Sequence, residues 1–323
     1  MKVWRTIGCI GMILFLLFTP QMLAEKAQEK FVDTRFVREK DRYEGTVVLY
    51  HIVRHRPYIG SLSAWLQRQA EAFEKKHKGI YIEVEGMDEA AFYERLEYGR
   101  RPDAYSFFSG SLYDDLLQPM ESFDLPLREG LFSTERCVPY CYSGYCMLKK
   151  DPSGGEAKRF CEDDVPAARL GMGENEVPEE KADVLVTDLR RAGDLIRYRD
   201  GFALSELQPI DCFTDIVCWL GIDRNADAEK AAVLRAFYLW LLSADCQETL
   251  SGLGLLSVRS DVKNVPADAL LKKVFAAYET VETVEPFRWY AEYDTLAEDA
   301  AAARRGDADA AQRFTNRLQE LIG

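Results

Sequence analysis

The residue constellations that carry most enzyme chemistry are missing from this sequence. It has no GxSxG elbow to present a nucleophilic serine, no HExxH pair for a zinc hydrolase, and no glycine loop long enough to cradle a phosphate; Gly171-Met172-Gly173 has only the length of a turn. There are 3 histidines and 8 cysteines but no CxxC pair, so zinc-ligand spacing is absent. The acidic pairs Asp163-Asp164 and Glu179-Glu180 stand in charge-rich, loop-like surroundings and read as solvated charge. These absences together assign no catalytic residue, no metal and no cofactor, and they favour a binder over an enzyme. Positive charge is also in the minority: 41 Lys and Arg against 54 Asp and Glu give a formal net charge of -13, which repels nucleic-acid phosphates and anionic lipid head groups.

The chain is 47% hydrophobic over 323 residues, enough to fill the cores of two lobes of ordinary domain size. Lys2 and Arg5 precede an uncharged stretch over residues 6–24, with an apolar heart from Ile10 to Phe18 and the small Ala24 before Glu25. That order is a secretory signal peptide over residues 1–24. Its apolar heart is short against the ~20 residues of a spanning helix. Met22 fits the cleavage rule poorly, so an uncleaved amino-terminal anchor is the alternative. Cys9 lies before the apolar heart, the wrong place for a lipid-anchoring cysteine. Cys137, Cys141, Cys146 and Cys161 cluster in sequence. They read as buried free thiols packing as small apolar groups, with one disulfide open as the alternative in an exported chain.

Residues 25–43 are largely charged and form a linker. The run Thr46-Val47-Val48-Leu49-Tyr50-His51-Ile52-Val53 has no polar alternation, which suits a central strand buried on both faces. Ser61 or Ser63 caps a helix carrying Leu62, Trp65, Leu66 and Phe73, which ends in Lys75, Lys76, His77 and Lys78 and stops at Gly79. Ile80 to Glu85 alternate as a strand, Asp88 caps a second helix, and residues 104–108 form a third strand closed by Ser109-Gly110-Ser111. Strand, helix, strand, helix, strand implies right-handed crossovers and a parallel open sheet, with a ligand site at the carboxyl ends of the strands. Those ends are His51 to Arg56 and Phe107 to Ser111.

The chain after Glu44 resembles the extracellular solute-binding proteins of ABC importers, the group that includes maltose- and oligosaccharide-binding proteins. VVLYHIV stands at the first strand, AFEKKHKGIYIEVE matches the helix–Gly–Ile–strand signature, and GRRPDAYSFFSG matches the G-x-x-P-D strand and ligand loop. LYDDLLQPM is similar to the short helix that follows, CVPYCYSGYCMLKKD to the crossing strand, and the segment from Phe213 to Val262 to the returning strand and helix. The resemblance implies an α/β, two-lobed periplasmic-binding-protein-like fold with open, mainly parallel sheets and crossing hinge strands. Mapped onto this chain, lobe 1 holds residues 44–142 and 213–258, and lobe 2, reduced, holds 143–212 and 259–323. The stretch 151–181 has little apolar periodicity, and a strand is expected only at residues 182–187.

The resemblance further implies a monomeric extracellular or cell-envelope receptor that delivers a small polar ligand, a sugar or oligosaccharide, to ABC importer permease subunits without binding nucleic acid. The alternatives are a reduced domain working as a membrane-tethered sensor or partner-binding module and, last, a secreted carbohydrate-active enzyme. Expected ligand-binding residues are His51, Arg54 and Arg56 on the loop after the first strand, Phe108 and Ser109 after the third, Tyr142 at the lobe crossing and Trp289 as a late stacking aromatic. Phe108 fits a core position better than a ligand platform. Trp219 and Trp240 read as core. Arg54 or Arg56 has the planar fork to reach an anionic group on the ligand.

Overall fold

A computed structural model describes residues 43–55, 58, 60–150, 157–198, 204–209, 213–266 and 269–322. The export segment, nearly all of the charged linker, Arg56, Cys9 and Cys212 lie outside the described residues. Residues Thr46–Gly323 form one compact unit.

The first strand, β1 (Gly45–Val53), is buried along most of its length, as its unbroken apolar run requires. Helix α1 (Leu62–Lys76) starts where Ser61 accepts a hydrogen bond from the Ala64 amide, and it buries Leu62, Trp65, Leu66, Ala70 and Phe73 on one face. It is followed by Gly79 at φ 89° and by β2 (Ile80–Asp88). Asp88 then caps α2 (Glu89–Glu97), accepting from the Ala91 amide. β3 (Ala104–Phe108) is buried at every position and runs parallel to β1.

β4 (Cys137–Tyr142), β10 (Val217–Ile222) and β11 (Leu256–Ser257) complete a six-stranded sheet in the order β11-β4-β10-β3-β1-β2. β10 lies antiparallel between β3 and β4, and β11 antiparallel beside β4. Outside this sheet pack α5 (Ala228–Leu241) and α6 (Ala244–Glu248).

A second sheet has four strands in the order β6-β7-β5-β8, namely β5 (Tyr145–Lys150), β6 (Arg159–Cys161), β7 (Val184–Asp188) and β8 (Leu204–Pro209). α3 (Asp164–Arg169) and α4 (Leu189–Tyr198) accompany it. A two-stranded pair joins β9 (Phe213–Thr214) to β12 (Glu282–Thr283). The chain finishes with α7 (Ala269–Ala277), α8 (Pro286–Arg304) and α9 (Ala308–Leu321). Leu296, Ala300, Phe314 and Leu318 of the last two helices share a core with Val165, Phe213 and Trp289.

The stretch 151–181, expected to lack regular structure, contains β6 and α3. Polar contacts order it where apolar periodicity is missing. The buried Arg304 side chain donates to the carbonyl of Gly173 and to Asn175 Oδ1, and it pairs with Asp164.

The two sheets are joined where the chain crosses between them. The Ser143 amide donates to the Ile216 carbonyl, Thr214 Oγ1 donates to the Ser143 carbonyl, and the Leu189 amide donates to the Gly144 carbonyl. Gly144 has no room for a side chain, because a β-carbon there would stand 2.3 Å from the Tyr278 ring. Tyr278 closes the crossing by donating its hydroxyl proton to the Tyr145 carbonyl and accepting the Tyr142 hydroxyl on its own carbonyl.

Candidate ligand site

The carboxyl ends of β1 and β3 meet in one place. His51 is 2% exposed, and its Nδ1 stands 2.8 Å from Ser106 Oγ, which is in turn 2.8 Å from the Tyr140 hydroxyl. Burial holds the His51 imidazole down to about 4, so at neutral pH it is an uncharged group with one donor and one acceptor nitrogen. His55 packs edge-on against the Phe108 ring at 4.9 Å. Burial first, and then the Arg190 charge, push it down to about 3. Its Nε2 is buried and has no hydrogen-bond partner.

The opposite wall comes from the four-stranded sheet. Asp188 ends β7, and its two carboxylate oxygens accept from Nε and Nη2 of Arg190 at 3.0 and 2.9 Å. Burial opposes the charge on Asp188, but the Arg190 guanidinium outweighs it and keeps the carboxyl below its usual range. The Arg190 guanidinium lies 6.0 Å from the centre of the Phe108 ring. Its backbone is held against the other wall, since a β-carbon on Gly254 would stand 2.6 Å from Arg190 Cα. His51, Val53, His55, Tyr58, Ser61, Ser63, Phe108 and Arg190 line a cavity of about 50 Å³.

Beneath this wall is a second polar group. Asp215 accepts the Tyr145 hydroxyl at 2.7 Å and is buried enough that its carboxyl is raised. Asp163 is pushed up to about 6, by burial first and then by the charge of Asp215. No group of three His, Cys, Asp or Glu suited to a metal ion occurs among the described residues.

The expected site residues divide between this cavity and its surroundings. His51 and Phe108 line it. Ser109 is buried and accepts the Trp219 indole N–H at 2.9 Å, so it holds the loop from behind. Arg54 faces away from the cavity: its Nη1 donates to the Gly110 carbonyl, lies 3.7 Å from Glu89, and its guanidinium covers the Tyr293 ring at 4.3 Å. Its fork ties the loop after β3 and is not presented to a ligand. Tyr142 is buried at the crossing, its hydroxyl committed to Tyr278. Trp289 is 0% exposed and sits in the α8–α9 core beside Phe213 and Tyr293, so neither ring face is open for stacking; its Nε1 has no partner. The reason is local. Pro286 accepts the Gly110 amide on its carbonyl, and this brings the first turn of α8 down onto Gly110. Gly110 stands at φ 82°, and a β-carbon there would lie 2.9 Å from Trp289 Cδ1, so the missing side chain is what lets the ring in.

Most of the lining lies outside the expected set, and its side chains with strong hydrogen-bonding groups are His55, Tyr58 and Arg190. Applying the strand-end rule to β7, as was done for β1 and β3, would have found Arg190.

No family model matches the sequence, and no curated protein does either. Solved structures do match in fold. The GacH receptor of Streptomyces glaucescens GLA.O, solved unliganded and with acarbose, is 16% identical with a TM-score of 0.59 over 87% of this chain and 99% of that one. Maltose-bound MalE3 of T. maritima is 12% identical with a TM-score of 0.59, over 86% and 100%. The chain has the solute-binding-protein fold. Within that fold the match is not confined to sugar receptors: the Atu4243–GABA receptor is 15% identical with a TM-score of 0.55, over 80% and 98%.

Proposed function

We propose that this chain is an extracellular solute-binding receptor that takes a small polar ligand, a carbohydrate in the first instance, and presents it to the permease subunits of an ABC importer. The observation that carries this reading is the unpartnered Nε2 of His55 in the wall of a cavity formed where β1, β3 and β7 end. Open α/β sheets bind ligands at strand carboxyl ends. A buried polar atom without a partner costs about 1–3 kcal/mol, which a ligand hydroxyl or amine would recover. The acarbose and maltose complexes of the matched structures support the carbohydrate class.

Small-molecule pockets span roughly 300–1,000 Å³. The cavity here is about 50 Å³, so a sugar enters only if its walls part. We assign that movement to two lobes, residues 44–142 with 213–258 and residues 143–212 with 259–323, turning about the crossing at Ser143-Gly144. Phe108 then offers an apolar ring face, while His51, His55 and Arg190 offer hydrogen bonds; Arg56 belongs to the same loop. Among the described residues no helix is long and apolar enough to cross a membrane. The small cavity favours one second reading, a domain that binds a partner protein instead of a solute.

The test is a thermal-shift panel of neutral and anionic sugars, amino acids and γ-aminobutyrate. A compound bound only by the folded state raises the melting temperature by mass action. A rise with a sugar supports the proposal. A rise with γ-aminobutyrate alone overturns the carbohydrate class, and no rise with any compound overturns the receptor reading in favour of a partner-binding domain.

A further inference from the structure

Cys141 and Cys218 stand directly opposite one another on the antiparallel strands β4 and β10. Residues so paired share one face of the sheet, with Cα atoms about 4.5–5.5 Å apart, and a disulfide needs about 4.4–6.8 Å. The register shifts just beyond this pair, where Trp219 faces Pro139 and leaves Tyr140 as the extra residue of a bulge. The bulge turns the Tyr140 hydroxyl toward the thiols, 3.3 Å from Cys218 Sγ. Both thiols are free and fully buried. None of the other four described cysteines faces a cysteine in strand register: Cys137 faces Gly221, Cys146 faces Thr187 and Pro209, Cys161 faces Val186, and Cys246 lies on α6.

We propose that Cys141 and Cys218 form a cross-strand disulfide when the chain folds in the presence of a low-molecular-weight disulfide such as oxidised glutathione. Two S–H bonds break and one S–S bond forms. The two electrons and two protons pass to the small disulfide, which is cleaved to two thiols. Burial raises both the Cys141 thiol and its Tyr140 neighbour well above their ordinary values, so the thiolate needed for exchange forms before the sheet closes and not afterwards. The bond would staple the strand that leaves the six-stranded sheet for the crossing to the strand that returns from it. It would also lie at the end of the polar chain His51–Ser106–Tyr140–Cys218 that begins in the cavity wall. The inference rests on sheet register and is independent of what the cavity binds.

The experiment refolds the full chain from denaturant with either reduced or oxidised glutathione, blocks free thiols by alkylation under denaturing conditions, and maps peptides without reduction. The oxidised sample should contain one linked peptide pair, Cys141 with Cys218, and should melt several degrees above the reduced sample. In Cys141→Ala/Cys218→Ala, which keeps small apolar groups in the sheet, oxidation should no longer change the melting temperature. Alkylation of both thiols in the oxidised sample, or a linkage between other cysteines, overturns the proposal. So does an oxidation-dependent melting shift that persists in the double variant.

Discussion

Acidification should destabilise this protein through His51, by an amount that can be worked out. The imidazole is 2% exposed and is held at about 4, against an ordinary value of 6.5. A lowered histidine value means that the unfolded chain binds the proton more readily than the folded one. Stability is therefore complete above pH 6.5 and is lost as pH falls from there toward 4. At pH 5.0 the unfolded histidine is almost fully protonated and the folded one hardly at all, which costs about 2 kcal/mol relative to pH 7.5. Asp163 acts in the opposite direction. It is raised to about 6, so the folded state holds its proton, and acidification toward the unfolded value favours folding by about 1.4 kcal/mol at pH 5.0. His55, held at about 3, loses stability on acidification in the same direction as His51. The His51 contribution is isolated by comparison with His51→Gln, which keeps a side chain able to hydrogen-bond Ser106 and leaves Asp163 and His55 untouched. Urea unfolding of both proteins at pH 7.5 and 5.0 should show the wild type losing about 2 kcal/mol more than the variant. Parallel pH profiles for the two proteins would refute the reasoning, as would an His51 imidazole that titrates near 6.5 by NMR in the folded protein.

Asp188→Asn removes the charge facing Arg190 while both groups stay buried, and should lower stability by about 3–5 kcal/mol in chemical denaturation, against little effect if the pair were solvated. Trp289→Ala should cost about 3–5 kcal/mol of folding free energy as a core truncation; a variant that folds normally but loses ligand affinity would mean that the ring is an exposed platform after all.

The first half of the fold was legible because local signals agreed with the global arrangement. The unbroken run at residues 46–53, the caps at Ser61 and Asp88 and the stop at Gly79 each have one cheap solution, and together they give β1 to β3 with their helices. Strand direction was less legible. The run Val217-Cys218-Trp219-Leu220-Gly221-Ile222 announces a buried strand, but nothing in it says that it enters antiparallel between β3 and β4. That follows from the chain returning from the second sheet, a non-local fact. Residues 159–169 were illegible for another reason: a single arginine 140 positions away along the chain, Arg304, orders the segment beginning at Asp164.

The site shows the same division. His51 and Phe108 followed from the strand-end rule, which needs only the order of elements. Trp289 looks like a stacking aromatic in sequence, but its exposure is decided by how the first turn of α8 meets Gly110. Arg54 reads as a free cation until the Gly110 carbonyl, Glu89 and Tyr293 are brought around it. Arg190 was reachable by the same strand-end rule, and was masked by its place in a run of charge after an unremarkable strand.

The central claim is that a small polar ligand binds at the junction of β1, β3 and β7 and engages His55. Isothermal titration calorimetry of the wild type and of His55→Ala with maltose, maltotriose, acarbose and γ-aminobutyrate tests it most directly, because removing an imidazole nitrogen that has no protein partner breaks no internal hydrogen bond. Saturable binding of a sugar by the wild type and at least about tenfold weaker binding by the variant are expected, equivalent to a lost interaction of about 1.4 kcal/mol, measured at a temperature where both proteins are folded. Equal affinity in the two proteins, or no binding of any of the four compounds by the wild type, would contradict it.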